Sequence, residues 1–125
     1  MKVPMTVWTP EQGYNDLELD VCFSREGPLH LELMQGSPGS YYETNAENAG
    51  LHHLGVWVKD VTDSARELVH QGWAVELAGK SPEDGYGSFA FIRSAGGTIV
   101  EPQSYLNGSK ERMARWFSTG TLGGS

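Results

Sequence analysis

The side chains of this sequence best suited to chemistry are His53, Glu32 and Glu101. Each glutamate stands between two apolar neighbours, and His53 stands between a second histidine and a leucine. A glutamate in an apolar stretch is costly to bury unless it faces water or a cation. An imidazole and two carboxylates are ligands suited to divalent Fe, Mn, Co, Ni or Zn, with water at the open positions. Such a metal polarises a carbonyl or enolate oxygen of a small molecule.

Strand alternation gives His53 a defined side. Within residues 51–60, His53 shares a face with Gly55 and Trp57, whereas the opposite face is apolar and can pack on a helix. The same alternation directs His52 away from the His53 face, which predicts a structural or surface role for His52. His53 is then either a ligand in a cavity or a packed ring whose nitrogens are satisfied by neighbours.

Aromatic residues and a further histidine surround these candidates in the sequence. Trp57, Phe89 and Phe91 either line a pocket for an apolar substrate or belong to the core. His30 shares a predicted strand face with Glu32, and it is either a pocket residue or an ordinary partner in cross-strand pairing.

Composition limits the class of protein. The 125 residues fit one domain, residues 1–125, and the 16 acidic against 9 basic side chains give a charge of −7, which argues against a nucleic-acid partner. Cys22 is the single cysteine, so an intrachain disulfide and a cysteine-based zinc site are excluded, and a cytoplasmic protein is expected. No apolar run reaches the roughly 18 residues of a membrane span. A small-molecule ligand is the expected partner.

Hydrophobic periodicity predicts an α+β fold. Three strands without a preceding helix are predicted within residues 5–35, and a polar, turn-rich loop follows at 36–50. Residues 51–103 are predicted to form β-α-β-β-β, with Asp60 or Thr62 as the helix N-cap and Gly72 as its C-terminal stop. An amphipathic helix is predicted over 107–118, where it should dock on the sheet or on a partner.

Several of these segments resemble one known family. The segments are Gly50-Leu51-His52-His53-Leu54-Gly55-Val56-Trp57-Val58-Lys59-Asp60, the Gly72 stop, Phe89-Ala90-Phe91 and Gly97-Thr98-Ile99-Val100-Glu101. They are similar to the vicinal oxygen chelate superfamily, which includes glyoxalase I, methylmalonyl-CoA epimerase, extradiol dioxygenases and bleomycin-resistance proteins. The resemblance implies paired βαβββ modules that form a curved mixed sheet, with ligands from the first and last strands of each module. It implies a cavity lined by His53, Glu101 and Glu32.

The resemblance covers 51–103 as a complete module and 5–35 as an incomplete one. The first module lacks its leading strand and helix, so we expect either a chain shortened at its N-terminus or another subunit or segment at the missing edge. Because an uncovered sheet edge would otherwise stay exposed, a homodimer is the expected assembly.

Three functions follow as alternatives. The first is a metal-dependent lyase, isomerase or epimerase acting on a small oxygenated organic molecule, with Glu101 or Glu32 as a ligand or as the proton-transferring base. The second is a metal-free protein that sequesters an apolar or aromatic compound. The third is a module whose main role is pairing with another subunit.

Overall fold

The computed structural model describes residues 1–47 and 49–121. The elements in chain order are β1 Lys2–Thr9, β2 Gly13–Phe23, β3 Glu32–Gly36, β4 Leu54–Val58, α1 Val61–His70, β5 Ala74–Ala78, β6 Ala90–Arg93, β7 Ile99–Ser104 and α2 Ser109–Thr119. The α+β prediction is confirmed. The chain divides into two compact units. Unit 1 consists of Met1–Met5, Asp16–Gly50 and the chain from Gly108, and unit 2 consists of Thr6–Asn15 and Leu51–Asn107.

Unit 2 contains the predicted β-α-β-β-β element order. Its strands lie in the order β1-β5-β6-β7-β4, where β1 contributes its C-terminal half. β4 runs parallel to β7, whereas β5 pairs with β6 and β6 with β7 in antiparallel fashion. The first and last strands of this module are therefore neighbours in the sheet, and residues far apart in the chain meet across them.

Local signals in the sequence account for α1. The Asp60 side chain accepts a hydrogen bond from the backbone N–H of Asp63 at 2.9 Å, so Asp60 rather than Thr62 is the N-cap. Gly72 has a φ of +95°, which suits the glycine that commonly follows a helix end. One face of α1 packs against the sheet in a core made of Val61, Ala65, Ala78, Tyr86, Ala90 and Ile92.

Unit 1 contains the N-terminal half of β1, β2 from Asp16 onward, β3 and α2, and its strand order is β3-β2-β1. Within the described residues, no strand or helix of this unit precedes β1. The predicted alternation in β2 is confirmed, since Leu19 and Val21 are buried whereas Asp20 and Cys22 are exposed.

The prediction that His30 shares a strand face with Glu32 is wrong. The strand begins at Glu32, so His30 precedes it and shares no strand face with Glu32. Leu29, Leu31 and Leu33 are 57–76% exposed. Glu32 and Met34 instead form the half-buried face, because the β2–β3 register sets them opposite Phe23 and Val21.

Helix α2 docks within unit 1. The Trp116 indole Nε1 donates to the carbonyl oxygen of Phe23 at 3.2 Å, at the end of β2. The Phe117 ring stacks on His30, with ring centroids 3.4 Å apart and planes 8° from parallel. Arg25 donates to the carbonyl of Ser118 at 3.3 Å. The half-buried aromatic face of the predicted amphipathic helix is thus the face that contacts the end of β2 and the segment between β2 and β3.

Candidate functional site

The parallel pairing of β4 and β7 brings the histidine of the predicted site to one of its glutamates. Gly55 lies opposite Glu101 in the ladder, and His53 immediately precedes β4. As a result, His53 Nε2 lies 3.2 Å from Glu101 Oε1, and each of the two side chains is only 7% exposed. A buried carboxylate therefore faces a buried imidazole on the same side of unit 2.

Gln103 fixes the orientation of the Glu101 carboxylate. Its side-chain Nε2 donates to Glu101 Oε1 at 2.6 Å, the same oxygen that faces His53. Residues two apart in a strand share a face, and the register also sets Gln103 opposite Trp57. Gln103 was not predicted as a site residue, although its i+2 spacing from Glu101 is a signal that could have identified it.

His52 lies beside His53, contrary to the prediction that it points away. The two Nδ1 atoms are 2.9 Å apart, and the rings meet edge to face with centroids separated by 5.1 Å. The prediction is wrong because β4 begins at Leu54, so strand alternation does not apply to either histidine.

Phe91 forms the wall behind both histidines. Its ring centroid lies 5.0 Å from that of His52 and 4.6 Å from that of His53, and the residue is 1% exposed. Phe89 extends this wall, with an edge-to-face contact to Phe91 at 5.7 Å. These apolar rings limit the access of water to the histidine pair from that side.

Gly55 leaves the flank of the carboxylate open. A Cβ at this position would lie 3.5 Å from Glu101 Oε1, so any larger side chain would occupy space next to that oxygen. On the same face, Trp57 is 38% exposed.

On the opposite face of β4, Val58 packs against the α1 core as predicted. Leu54 and Val56 are 48% and 44% exposed, so the helix covers only the end of β4.

The donor atoms fit a divalent metal. Two ligands that bind one ion at about 2.0–2.2 Å lie about 2.8–3.6 Å apart, the shorter separations in octahedral and the longer ones in tetrahedral geometry. The observed 3.2 Å between His53 Nε2 and Glu101 Oε1 falls within this range. One imidazole nitrogen and one carboxylate oxygen are also donors that borderline ions such as Zn, Fe, Co, Ni and Mn accept.

The other two predicted polar site residues, Glu32 and His30, belong to unit 1. Glu32 is the first residue of β3, half-buried and opposite Phe23. The Nδ1 atom of His30 is buried and has no hydrogen-bond partner among the residues that the structure describes. The roles of Glu32 as ligand and of His30 as pocket residue remain predictions.

A hydrogen-bonded cluster holds the loop that leads to Phe89. The Tyr14 hydroxyl donates to the Asp84 carboxylate and accepts from the backbone N–H of Ser81 at 3.0 Å. The hydrogen bond from Tyr14, and then the one from Ser81, holds the pKa of Asp84 below its ordinary value of 3.8. This cluster was not anticipated, since residues 14 and 84 are brought together only by the fold.

None of the helices within residues 1–47 and 49–121 has both the length and the apolar character needed to cross a membrane.

Comparison with known proteins identifies the family. The model of the Glyoxalase/Bleomycin resistance protein/Dioxygenase superfamily matches residues 4–91, which include Glu32, His53 and Phe91. Searches of curated proteins and of solved structures gave no significant match. The matched segment spans most of the 125 residues and includes β2, β3, β4, α1 and β5 in full. The chain therefore belongs to the Glyoxalase/Bleomycin resistance protein/Dioxygenase superfamily.

Proposed function

We propose that this chain is a divalent-metal-dependent enzyme that isomerises, epimerises or cleaves a small oxygenated organic molecule. The observation that carries the proposal is the buried pair of His53 and Glu101, whose facing donor atoms are 3.2 Å apart. A carboxylate this far from water is costly unless it is matched by hydrogen bonds or by a cation. Membership of the superfamily supports the same assignment.

His53 and Glu101 would hold the metal, and Glu32 is the proposed third ligand. When bound, the metal supplies Lewis-acid polarisation of a substrate oxygen. Gln103 keeps the Glu101 carboxylate in one orientation through its 2.6 Å hydrogen bond. Glu101 or Glu32 would also accept a proton from the carbon next to the polarised oxygen and return it, which makes these two glutamates the proposed catalytic residues.

The proposed substrate pocket uses aromatic surface. Phe91, at 1% exposure, backs the histidine pair, whereas Trp57 keeps 38% of its surface exposed on the Glu101 face of β4. Phe89 and, from unit 1, His30 complete the set of pocket residues that we propose. The net charge of −7 disfavours a strongly anionic substrate, so a small neutral or weakly charged molecule is the better candidate.

A second candidate function is metal-free binding of an aromatic or apolar compound. The exposed indole of Trp57 favours it, because an aromatic ring that is partly open to solvent offers a stacking surface. In that case protein groups such as Gln103 and His53 would satisfy Glu101, and loading with metal would change neither stability nor ligand affinity.

We propose a homodimer as the assembly. In unit 1, Leu29, Leu31 and Leu33 are exposed, and in unit 2 the edge strand β4 exposes Leu54 and Val56. Exposed apolar side chains on and beside edge strands are typical of surfaces that another chain covers. Light scattering after size-exclusion chromatography should give twice the mass of the 13.7 kDa chain. A monomer at micromolar concentration would contradict this proposal.

A cytoplasmic location is proposed as well, since the thiol of Cys22, the single cysteine, is exposed and needs no oxidising compartment. Fractionation of cells that produce the protein should recover it with cytoplasmic markers.

Metal content of the purified protein tests the proposed function. Mass spectrometry should find close to one transition-metal ion per chain in the wild type and far less in His53→Ala and Glu101→Ala. Glu32→Ala tests the third ligand in the same way. His70→Ala is the control, because His70 is an exposed residue at the end of α1. Wild-type protein that cannot be loaded with Fe, Mn, Co, Ni or Zn would refute the metal-dependent function.

A further inference from the structure

The two adjacent histidines are joined through the same type of ring atom. Nδ1 of His52 and Nδ1 of His53 are 2.9 Å apart, which is a hydrogen-bond distance. Between two neutral imidazoles such a bond needs a single proton, so one Nδ1 donates and the other accepts. The choice of donor then decides which nitrogen of His53 carries the remaining proton.

Each of the two choices has a different consequence at Glu101. If His52 donates, His53 accepts at Nδ1 and carries its proton on Nε2, which then faces the Glu101 oxygen 3.2 Å away as a donor. If His53 donates, its Nε2 carries a lone pair that faces an electron-rich carboxylate oxygen at the same distance. Two acceptors repel each other in a buried site, so the second arrangement is stable only with a cation between them.

We propose that His52 is a positioning residue that sets the tautomer of His53, and that the histidine pair exchanges tautomers when the metal binds. This inference rests on the proposed function, since it assigns His53 Nε2 to the metal. In the metal-free protein His52 donates and His53 Nε2–H faces Glu101. In the metal-bound protein His53 donates from Nδ1 and His52 accepts.

The exchange conserves protons. The proton on His53 Nε2 would leave, so that the lone pair of this nitrogen becomes available to the metal. The proton between the two Nδ1 atoms would pass from His52 to His53. One proton is taken up at His52 Nε2, so both rings stay neutral before and after. A partner that fixes the second nitrogen of a histidine ligand orients the ring and raises its basicity toward the metal.

Packing on Phe91 alone does not account for the position of His52. Its ring contacts Phe91 at 5.0 Å, and a phenyl ring would make a similar edge contact. A phenyl ring has no nitrogen to donate to His53 or accept from it. His52→Phe therefore keeps the apolar contact and removes the hydrogen bond, whereas His52→Asn places an amide near the position of Nδ1 and removes the ring.

The experiment combines Zn²⁺ titration with ¹⁵N NMR of the histidine rings at one neutral pH. In the metal-free wild type we expect the His53 proton on Nε2, and after addition of Zn²⁺ we expect it on Nδ1. His52→Phe should bind Zn²⁺ about 10- to 100-fold more weakly, whereas His52→Asn should keep most of the affinity. Thermal unfolding of both variants checks that they fold.

The outcomes separate this inference from the proposed function. Wild-type protein that binds no Zn²⁺ overturns both. Wild-type protein that binds Zn²⁺ through His53, with His52→Phe binding equally well, overturns the inference alone. The inference is also overturned if His53 carries its proton on Nδ1 in the metal-free protein, or if His52→Asn binds more weakly than His52→Phe.

Discussion

Glu101→Gln should separate the stability of the metal-free protein from the stability that metal adds. The substitution keeps the shape of the side chain and an oxygen that can accept from Gln103, but it removes the charge. Charge-assisted hydrogen bonds contribute about 1.5–3 kcal/mol and neutral ones about 1 kcal/mol, whereas relief of a buried charge works in the opposite direction. Because these effects oppose each other, we expect the free energy of unfolding without metal to change by less than about 1 kcal/mol.

With Zn²⁺ the two proteins should differ strongly. At a free metal concentration 100 times Kd, binding adds about 2.7 kcal/mol to the wild type. In a chain of this size that raises Tm by about 10 °C. If the neutral amide weakens binding about 100-fold, the same concentration equals Kd of the variant and adds only about 0.4 kcal/mol, which is a Tm shift of about 1–2 °C.

Differential scanning fluorimetry with Zn²⁺ and with a chelator measures both quantities. Glu76→Gln is the matched control, since Glu76 also lies on a strand of unit 2 and forms an ion pair with Arg93. It should respond to Zn²⁺ as the wild type does. A Zn²⁺ shift in Glu101→Gln equal to that of the wild type would show that Glu101 is not a ligand.

Three further changes probe the residues that support the site and the fold. Gln103→Leu removes the amide that holds Glu101, and it should lower the free energy of unfolding by about 1 kcal/mol in urea titration and weaken Zn²⁺ binding about 10-fold. Tyr14→Phe should raise the pKa of Asp84 measured by NMR. The folded pKa of Asp84 lies below its ordinary value of 3.8, so ionised Asp84 adds stability above that pH, and this stability is lost as pH falls through the folded pKa. In urea titration, Tyr14→Phe should therefore have a lower free energy of unfolding than the wild type near neutral pH, and this difference should disappear in acid. Asp60→Ala removes the N-cap and should cost about 1 kcal/mol, whereas Asp60→Asn should cost little; circular dichroism during thermal unfolding measures both.

Signals that act over a few residues were sufficient to predict much of the fold. The alternation of β2, the Asp60 cap and the Gly72 stop each depend on neighbours within one turn or strand. The exposure of the leucines in and before β3 was not predictable in this way, because alternation indicates two faces but not which one the rest of the chain covers.

The candidate site was predictable in residue type but not in detail. His53 and Glu101 could be named because each is a polar side chain next to apolar residues in the sequence. The contact between His52 and His53 could not be predicted, since it depends on β4 beginning at Leu54, directly after His53. The orientation of Gln103 toward Glu101 likewise depends on a hydrogen bond within β7 that strand alternation alone does not specify.

The parallel pairing of β4 with β7 also determines when the site can form during folding. Gly55 and Glu101 lie opposite each other in the parallel ladder although almost the whole of the module separates them in the chain. Pairing of this kind closes a long loop, and its entropic cost must be met before the contact contributes stability. α1 and the hairpin of β5 and β6 can form from closer segments, so the His53–Glu101 pair should assemble late. Metal affinity then reports on completion of the fold, because a chain released before β7 has been synthesised has the histidines but lacks Glu101.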